Sequence, residues 1–326
     1  MSQAIQINEF GGPDVMRLVD VAVGDPGPGP VRVRHHACGI NFIDVYQRTG
    51  LYQNPLPLTP GGEGAGVVEA VGEGVTHLAV GDRVAYAAPK PGAYCQERVM
   101  DALHVCRLPD QIDFETGAAM MLKGLTVEYL LRRTLPVEGL APGDAILWHA
   151  AAGGVGLIAC QWARALGVTM IGTVSTDEKA AVAKANGCAH TIVTSRENIA
   201  KRVREITGGK GVPVVFDSVG KDTLEASLDS LQPRGALVSN GTSSGSVVID
   251  SQLLAVKGSL WVTRPAMIHY AAPRAHMLDM ANELFGLVCA GKIVAEPKQT
   301  FALSDAAEAH RALESRKTTG ATVLVP

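Results

Sequence analysis

The chain has 326 residues, which at roughly 100–200 residues per domain is room for two domains. Hydrophobic residues make up 47% and charged residues 19%, a balance that excludes a disordered chain. The 29 Lys and Arg against 32 Asp and Glu leave a formal net charge of −3, so no basic surplus is offered to nucleic acid or to an anionic membrane surface.

The first third reads as strand-rich. Strands are predicted at 4–8, 17–21 and 31–37, separated by Gly11-Gly-Pro and by Pro26-Gly-Pro-Gly-Pro, and the series continues at 64–71, 83–87 and 93–99. Short strands at this spacing suggest a compact, partly closed β domain. The pattern changes near residue 115. Helices are expected at 115–122 and 125–135, and an alternating β/α series follows. Its strands are placed at 145–149, 169–174, 190–193, 213–216, 236–239 and 259–262, and its helices at 155–166, 178–186, 196–206, 223–231 and 253–256. Six strands with interleaved helices are what a doubly wound parallel sheet requires. The last segment reads as helices at 275–290 and 304–315 and a strand at 321–324.

The N-terminus alternates polar and apolar residues like a strand and lacks the basic and apolar regions of a signal peptide. Residues 145–163 carry no Asp, Glu, Lys or Arg, but Gly153, Gly154 and Gly156 interrupt them, so they fit a membrane span poorly. Cys38, Cys95, Cys106, Cys160, Cys188 and Cys289 form no C-x-x-C pair and read as buried free thiols of a cytoplasmic protein.

The most specific motif is Ala151-Ala152-Gly153-Gly154-Val155-Gly156, directly after a predicted strand and opening a helix. Backbone amides at such a turn approach a pyrophosphate closely, and the helix end is positive. The G-x-G-x-x-G pattern is broken at its first position, where Ala151 stands. About 20 residues further on, NAD-binding folds place an acid for the ribose. Here the strand ends in Ser175-Thr176-Asp177-Glu178-Lys179. Ser175 and Lys179 suit a 2′-phosphate, which favours NADPH, while Asp177 and Glu178 are left as possible ribose acids.

Four motifs then occur in one order: Gly61-Gly-Glu-Gly-Ala-Gly66, Val80-Gly-Asp-Arg-Val84, Ala150-Ala-Ala-Gly-Gly-Val-Gly156 and Phe216-Asp-Ser-Val-Gly220. On these the chain resembles the medium-chain dehydrogenase/reductases, and more closely the zinc-free NADPH:quinone oxidoreductases related to zeta-crystallin. The likeness continues through Gly258-Ser-Leu-Trp-Val-Thr-Arg-Pro265 and Leu313-Glu-Ser-Arg-Lys-Thr-Thr-Gly320. It implies an α/β fold with a GroES-like catalytic domain (1–124), a Rossmann domain (125–266) and a C-terminal segment (267–326) that completes the first, with the active site in the cleft. It also implies that Asn41 lies near the nicotinamide, and that Thr126, in a Lys123-Gly-Leu-Thr turn, touches the cofactor. Ala152, Gly153, Gly154, Val155 and Gly156 would hold the pyrophosphate, Ser175, Lys179 and Arg316 the 2′-phosphate, and Ser218 and Asn240 would border the cofactor groove. Asn41, Tyr46 and Tyr52 are the expected catalytic residues, with Tyr46, Tyr52 and Arg264 lining the substrate pocket. Ser195 stands where relatives commonly carry a Tyr, and Asn240 replaces a bulkier residue.

In the zinc-dependent cousins a Cys and a G-H-E histidine bind metal. Asn41 and Gly62-Glu63 stand there instead, so no metal is expected. The expected reaction is NADPH-dependent reduction of quinones. The alternatives are reduction of enals and enones, or a non-catalytic NADPH- or RNA-binding role. A homodimer is expected through the last strand of the parallel sheet, where Leu260 and Val262 would otherwise form an exposed edge.

Overall fold

The computed structural model describes residues 1–134, 139–315 and 317–326. Two compact units form: unit 1 comprises 1–125, 272–291 and 295–326, and unit 2 comprises 126–271 and 292–294.

Unit 1 begins with an antiparallel pair, β1 (Ser2–Gln6) and β2 (Arg17–Val21). The 11-residue β3 (Pro30–Ile40) organises the main sheet. It pairs along its length with β4 (Glu63–Val71), and β5 (Arg83–Ala87) lies on β4's far side. β6 (Glu97–Asp101) joins the first half of β3, and β7 (Val105–Arg107) pairs with β5. Register shifts at Arg32/Val33 and His35/Ala37 mark irregularities in the β3–β4 ladder. Bulges of this kind bend and twist a strand, which lets one strand serve different partners at its two ends and partly closes the sheet. Inside lie Val31, Val33, Val68, Val84, Tyr86 and Leu324. Helix α1 (Phe42–Arg48) follows β3, and α2 (Phe114–Arg132) follows β7.

Unit 2 alternates strictly: β8 (Ala145–Trp148), α3 (Gly154–Ala165), β9 (Thr169–Val174), α4 (Asp177–Ala185), β10 (His190–Val193), α5 (Ile199–Ile206), β11 (Val212–Asp217), α6 (Leu224–Ser230), β12 (Leu231–Ser239), α7 (Ser251–Val256) and β13 (Trp261–Thr263). All pairings are parallel, in the order β10-β9-β8-β11-β12-β13. This is the 3-2-1-4-5-6 order of a Rossmann sheet, as the sequence pattern predicts. The uncharged stretch at 145–163 is β8, a turn and α3, and no described helix is long and apolar enough to cross a membrane. After α8 (Met267–Ala271), the chain returns to unit 1 as α9 (Arg274–Cys289), β14 (Gln299–Ala302), α10 (Ala306–Glu314) and β15 (Thr322–Val325). β15 pairs with the last residues of β3, so the C-terminus completes the sheet that the N-terminal third began.

Several expectations are corrected. The two helices at 115–122 and 125–135 are one, because Gly124 is a packing site: a Cβ there would stand 2.5 Å from Leu284 of α9. The Lys123-Gly-Leu-Thr segment is therefore helical and not a turn, while Leu135 and Arg316 lie outside the described residues. The strand expected at 93–99 begins only at Glu97, since the amides of Ala93 and Tyr94 bond to the carbonyls of Gly61 and Pro60. The strand expected at 259–262 begins at Trp261, because Ser259 has a φ of 56° and Leu260 turns into the core. The exposed side chains on that edge are Trp261 and Val262. Five cysteines are buried, but Cys289 is exposed at the end of α9.

A buried polar chain fastens α10 to α1. Asp44 Oδ2 accepts from the Asn41 amide and from Tyr94 Oη, both at 2.8 Å. His310 Nδ1 accepts from Arg48 at 3.0 Å, so its protonated Nε2 donates to Tyr94 Oη, also at 3.0 Å. Arg48 donates in turn to Glu314 and to the Gly11 carbonyl. Burial, then the charge of Arg48, lowers His310 to about 3, while burial raises Asp44 to about 7 against the pull of those two donors. Between the ordinary carboxyl value of 3.8 and about 7, the folded state holds a proton on Asp44 that the unfolded chain has lost. The wild-type carboxyl therefore costs stability as pH rises through that window. Asp44→Asn keeps an acceptor oxygen and removes the titration. Its stability relative to wild type, read by chemical denaturation, should rise from about pH 4 to about pH 7 and then level off. A difference independent of pH contradicts this.

Candidate functional site

In unit 2 the site is built at the carboxyl ends of the parallel strands. Leaving β8, Ala150 takes a φ of 57°, and the Ala151 amide bonds to the Thr173 carbonyl of β9 at 3.0 Å. Helix α3 then starts at Gly154, with Gly153 at its N-cap and no side chain capping it. Its opening amides, at Gly154, Val155 and Gly156, have no carbonyl four residues back within the helix and are suited to an anion. Gly156 is required by space: a Cβ there would stand 2.5 Å from the Ala150 carbonyl oxygen and 2.6 Å from that of Ala151. The alanine in the broken motif has a structural reason too. Ala151 is fully buried, and a Cβ on Gly172 of β9 would meet the Ala151 Cβ at 2.5 Å. The glycine missing from the turn is matched by one on the neighbouring strand.

Ser175 is exposed just beyond β9, and Thr176 caps α4 by accepting from the Lys179 amide at 3.3 Å. Ser218 follows β11. Asn240 follows β12, with its amide bonded to the Asp217 carbonyl at 2.8 Å. Its Oδ1 is buried without a protein partner. Under these loops lies a network that the sequence reading missed. Asp217 accepts from the amides of Val219 and Gly220 and from the hydroxyls of Thr223 and Ser227. His149 donates from Nε2 to Ser227 Oγ at 2.9 Å and meets Thr173 Oγ1 through Nδ1 at 3.1 Å, while burial lowers its pKa. The network holds the Ser218 loop to the strand ends. Its only sequence signal was Phe216-Asp-Ser-Val-Gly220. Thr126 lies on α2, one turn before Tyr129, whose ring stacks on Tyr270 at 4.9 Å.

Unit 1 gathers a second group. Glu63 is completely buried on β4. Its carboxylate accepts from Asn41 Nδ2 at 2.8 Å, from the Leu122 amide at 2.6 Å and from the Lys123 ammonium. Gly39 leaves room for it, since a Cβ there would overlap the Glu63 side chain. A lone charged residue inside Gly61-Gly-Glu-Gly-Ala-Gly66 was the available signal for this cluster. Tyr46 and Tyr52 come together with ring centroids 5.4 Å apart in an edge arrangement, and the Tyr52 amide bonds to the Tyr46 carbonyl. Arg264 is not in their unit. It belongs to unit 2, and its Nη1 donates to the carbonyls of Ser239 and Gly241 at 3.2 and 2.8 Å. Among the described residues, no three His, Cys, Asp or Glu stand together as metal ligands.

These residues fit NADPH on structural grounds. The uncapped α3 turn suits a pyrophosphate, the orphaned Asn240 oxygen suits a ligand donor, and Ser175 and Lys179 flank the end of β9.

Residues 27–138 match the family described as "Alcohol dehydrogenase GroES-like domain", and residues 154–278 match "Zinc-binding dehydrogenase". The chain is 55% identical to the quinone oxidoreductase of Pseudomonas aeruginosa, with all of both chains covered. It is 48% identical to a 2-haloacrylate reductase of a Burkholderia species, covering all of this chain and 99% of the other. The crystal structure of Escherichia coli quinone oxidoreductase complexed with NADPH superposes with a TM-score of 0.97 at 48% identity, over 99% of this chain and 100% of that one.

The packing of the glycine turn can be tested by a double-mutant cycle. Gly172→Ala should cost about 1–3 kcal/mol by overpacking. Adding Ala151→Gly should recover part of that loss, the remainder arising from Cys188 Sγ, which a Cβ at 172 would meet at 2.6 Å. Thermal melting of both single variants and the double variant reads the coupling, and strictly additive losses contradict it.

Proposed function

Since the chain belongs to the quinone oxidoreductases of the medium-chain dehydrogenase/reductase superfamily, we propose that it catalyses reduction of a quinone to its hydroquinone by NADPH, with uptake of one proton. NADPH supplies the hydride, and the chain's own residues bind, orient and discriminate. The observation that carries the reading is the uncapped start of α3 beside Ser175 and Lys179, a place for a pyrophosphate followed by one for a 2′-phosphate. Arg316, outside the described residues, is proposed as a third reader of that phosphate.

Asn41 is proposed to orient the nicotinamide, and Glu63 acts by positioning Asn41. The Glu63 carboxylate takes the Asn41 N–H, which fixes the side-chain amide plane. Tyr46 and Tyr52 offer aromatic surface to a flat ring, Tyr52 by stacking alone, and the Tyr46 hydroxyl is able to donate to the developing oxyanion. Hydrogen-bond donors suffice for a quinone, whereas an ordinary ketone calls for stronger polarisation.

The likeness to a 2-haloacrylate reductase gives reduction of an activated alkene as the second reading. That reaction needs a proton placed on carbon, and Tyr52 is the candidate acid. In steady-state assays with NADPH, benzo- and naphthoquinones should turn over, and Tyr52→Phe should leave their kcat/KM nearly unchanged. Oxidation of NADPH by enones with no turnover of any quinone, slowed in Tyr52→Phe, establishes the second reading instead. No turnover of either class favours a non-catalytic role. With a net charge of −3, nucleic acid is not proposed as a partner.

We also propose a cytoplasmic homodimer. The free thiols suit a reducing compartment. Strand β13 ends the parallel sheet with Trp261 54% and Val262 36% exposed, an edge that pairing across a two-fold axis would cover. Light scattering should report the dimer mass at micromolar concentration, and a monomer contradicts the pairing.

A further inference from the structure

We propose that Arg196 is a further reader of the NADPH 2′-phosphate, held at the end of β9 by Asp177. The inference rests on the NADPH reading above and extends it. Strands β9 and β10 are neighbours, with Val193 opposite Val174. Beyond them Thr194 bonds twice to the Val174 carbonyl, through its amide at 2.9 Å and its hydroxyl at 3.2 Å. The loop carrying Ser195 and Arg196 is thereby fastened against the turn that carries Ser175 and Thr176. Across that gap the Arg196 guanidinium grips Asp177 with both terminal nitrogens, at 2.5 and 2.6 Å. Asp177 opens α4, two residues after Ser175 and two before Lys179.

This pair does little for the fold. Its two side chains are 55% and 66% exposed, and exposed ion pairs contribute little to stability. Its effect is positional. A long, mobile cation is fixed where the second strand of a dinucleotide fold meets the adenosine ribose. The two bonds to Asp177 leave the Arg196 Nε–H and one N–H on each terminal nitrogen for a phosphate oxygen. The same pairing engages both Asp177 oxygens and neutralises its charge, which weakens this carboxylate as the ribose acid that a dinucleotide lacking the phosphate would need. One contact thus favours the phosphorylated ribose and disfavours the bare one.

The test uses the full chain and measures binding, not turnover, by calorimetric titration with 2′,5′-ADP, 5′-ADP, NADPH and NADH. Arg196→Gln should weaken 2′,5′-ADP and NADPH by about ten-fold or more, the loss of a charge-assisted bond, and leave 5′-ADP and NADH within about two-fold. Arg196→Lys, which keeps the charge, should recover part of the loss. Equal weakening of all four ligands, or no weakening of any, overturns the assignment. Wild-type protein that binds 2′,5′-ADP no tighter than 5′-ADP overturns the NADPH reading as well. Wild-type discrimination that survives intact in Arg196→Gln overturns the role of Arg196 alone.

Discussion

The candidate cofactor site of unit 2 depends on the absence of a side chain at residue 156. With carbonyl oxygens 2.5 and 2.6 Å from where a Cβ would stand, only glycine lets α3 begin this close to the end of β8. That proximity aims the opening amides of the helix along the crest of the parallel sheet. The other cofactor contacts proposed for unit 2 lie on the same crest: Ser175 after β9, Ser218 after β11 and Asn240 after β12 are each the first residue beyond a strand. The His149–Ser227–Asp217 network beneath them supplies what those loops lack in length, a rigid hydrogen-bonded floor. Donors placed by secondary structure need little reorganisation when an anion arrives.

Unit 1 solves a different problem, the burial of a carboxylate. Glu63 has no contact with water, so its charge must be matched within the protein or it would be prohibitively costly. The matching groups come from far apart in the chain: Asn41 at the start of α1, Lys123 and the Leu122 amide within α2, and the space at Gly39. Each is thereby held in one place, and the residue expected to meet the nicotinamide is one of them. Asp44 on α1 meets burial differently, by keeping its proton up to about pH 7, and its chain through Tyr94, His310 and Arg48 carries the order to the C-terminal helix.

Much of this was legible in the sequence where structure is local. Strands β9, β10, β11 and β13 of unit 2 are short runs rich in β-branched residues, β8 is a short apolar run, and the glycine turn follows β8 directly. Local pattern misleads where tertiary contacts overrule it. Gly124 looked like a break, but Leu284 fills the space beside it and the helix runs on. Leu260 looked like part of an exposed edge because its direction depends on the left-handed backbone at Ser259. Strands β7 and β14, of three and four residues, and the seven-residue helix α1 are too short to show a period. Glu63 stood in a quoted motif, yet its partner Lys123 is 60 residues away, a distance no spacing rule spans. The Arg196–Asp177 pair likewise needed the adjacency of β9 and β10.

Passage of hydride from NADPH to a quinone is tested most directly in a single turnover without oxygen, mixing a preformed complex of protein and NADPH with a stoichiometric simple benzoquinone. Reduced-nicotinamide absorbance should disappear at the rate at which hydroquinone appears, one hydroquinone for each NADPH consumed. A complex that binds NADPH fully and still holds it reduced after the quinone is added would contradict it.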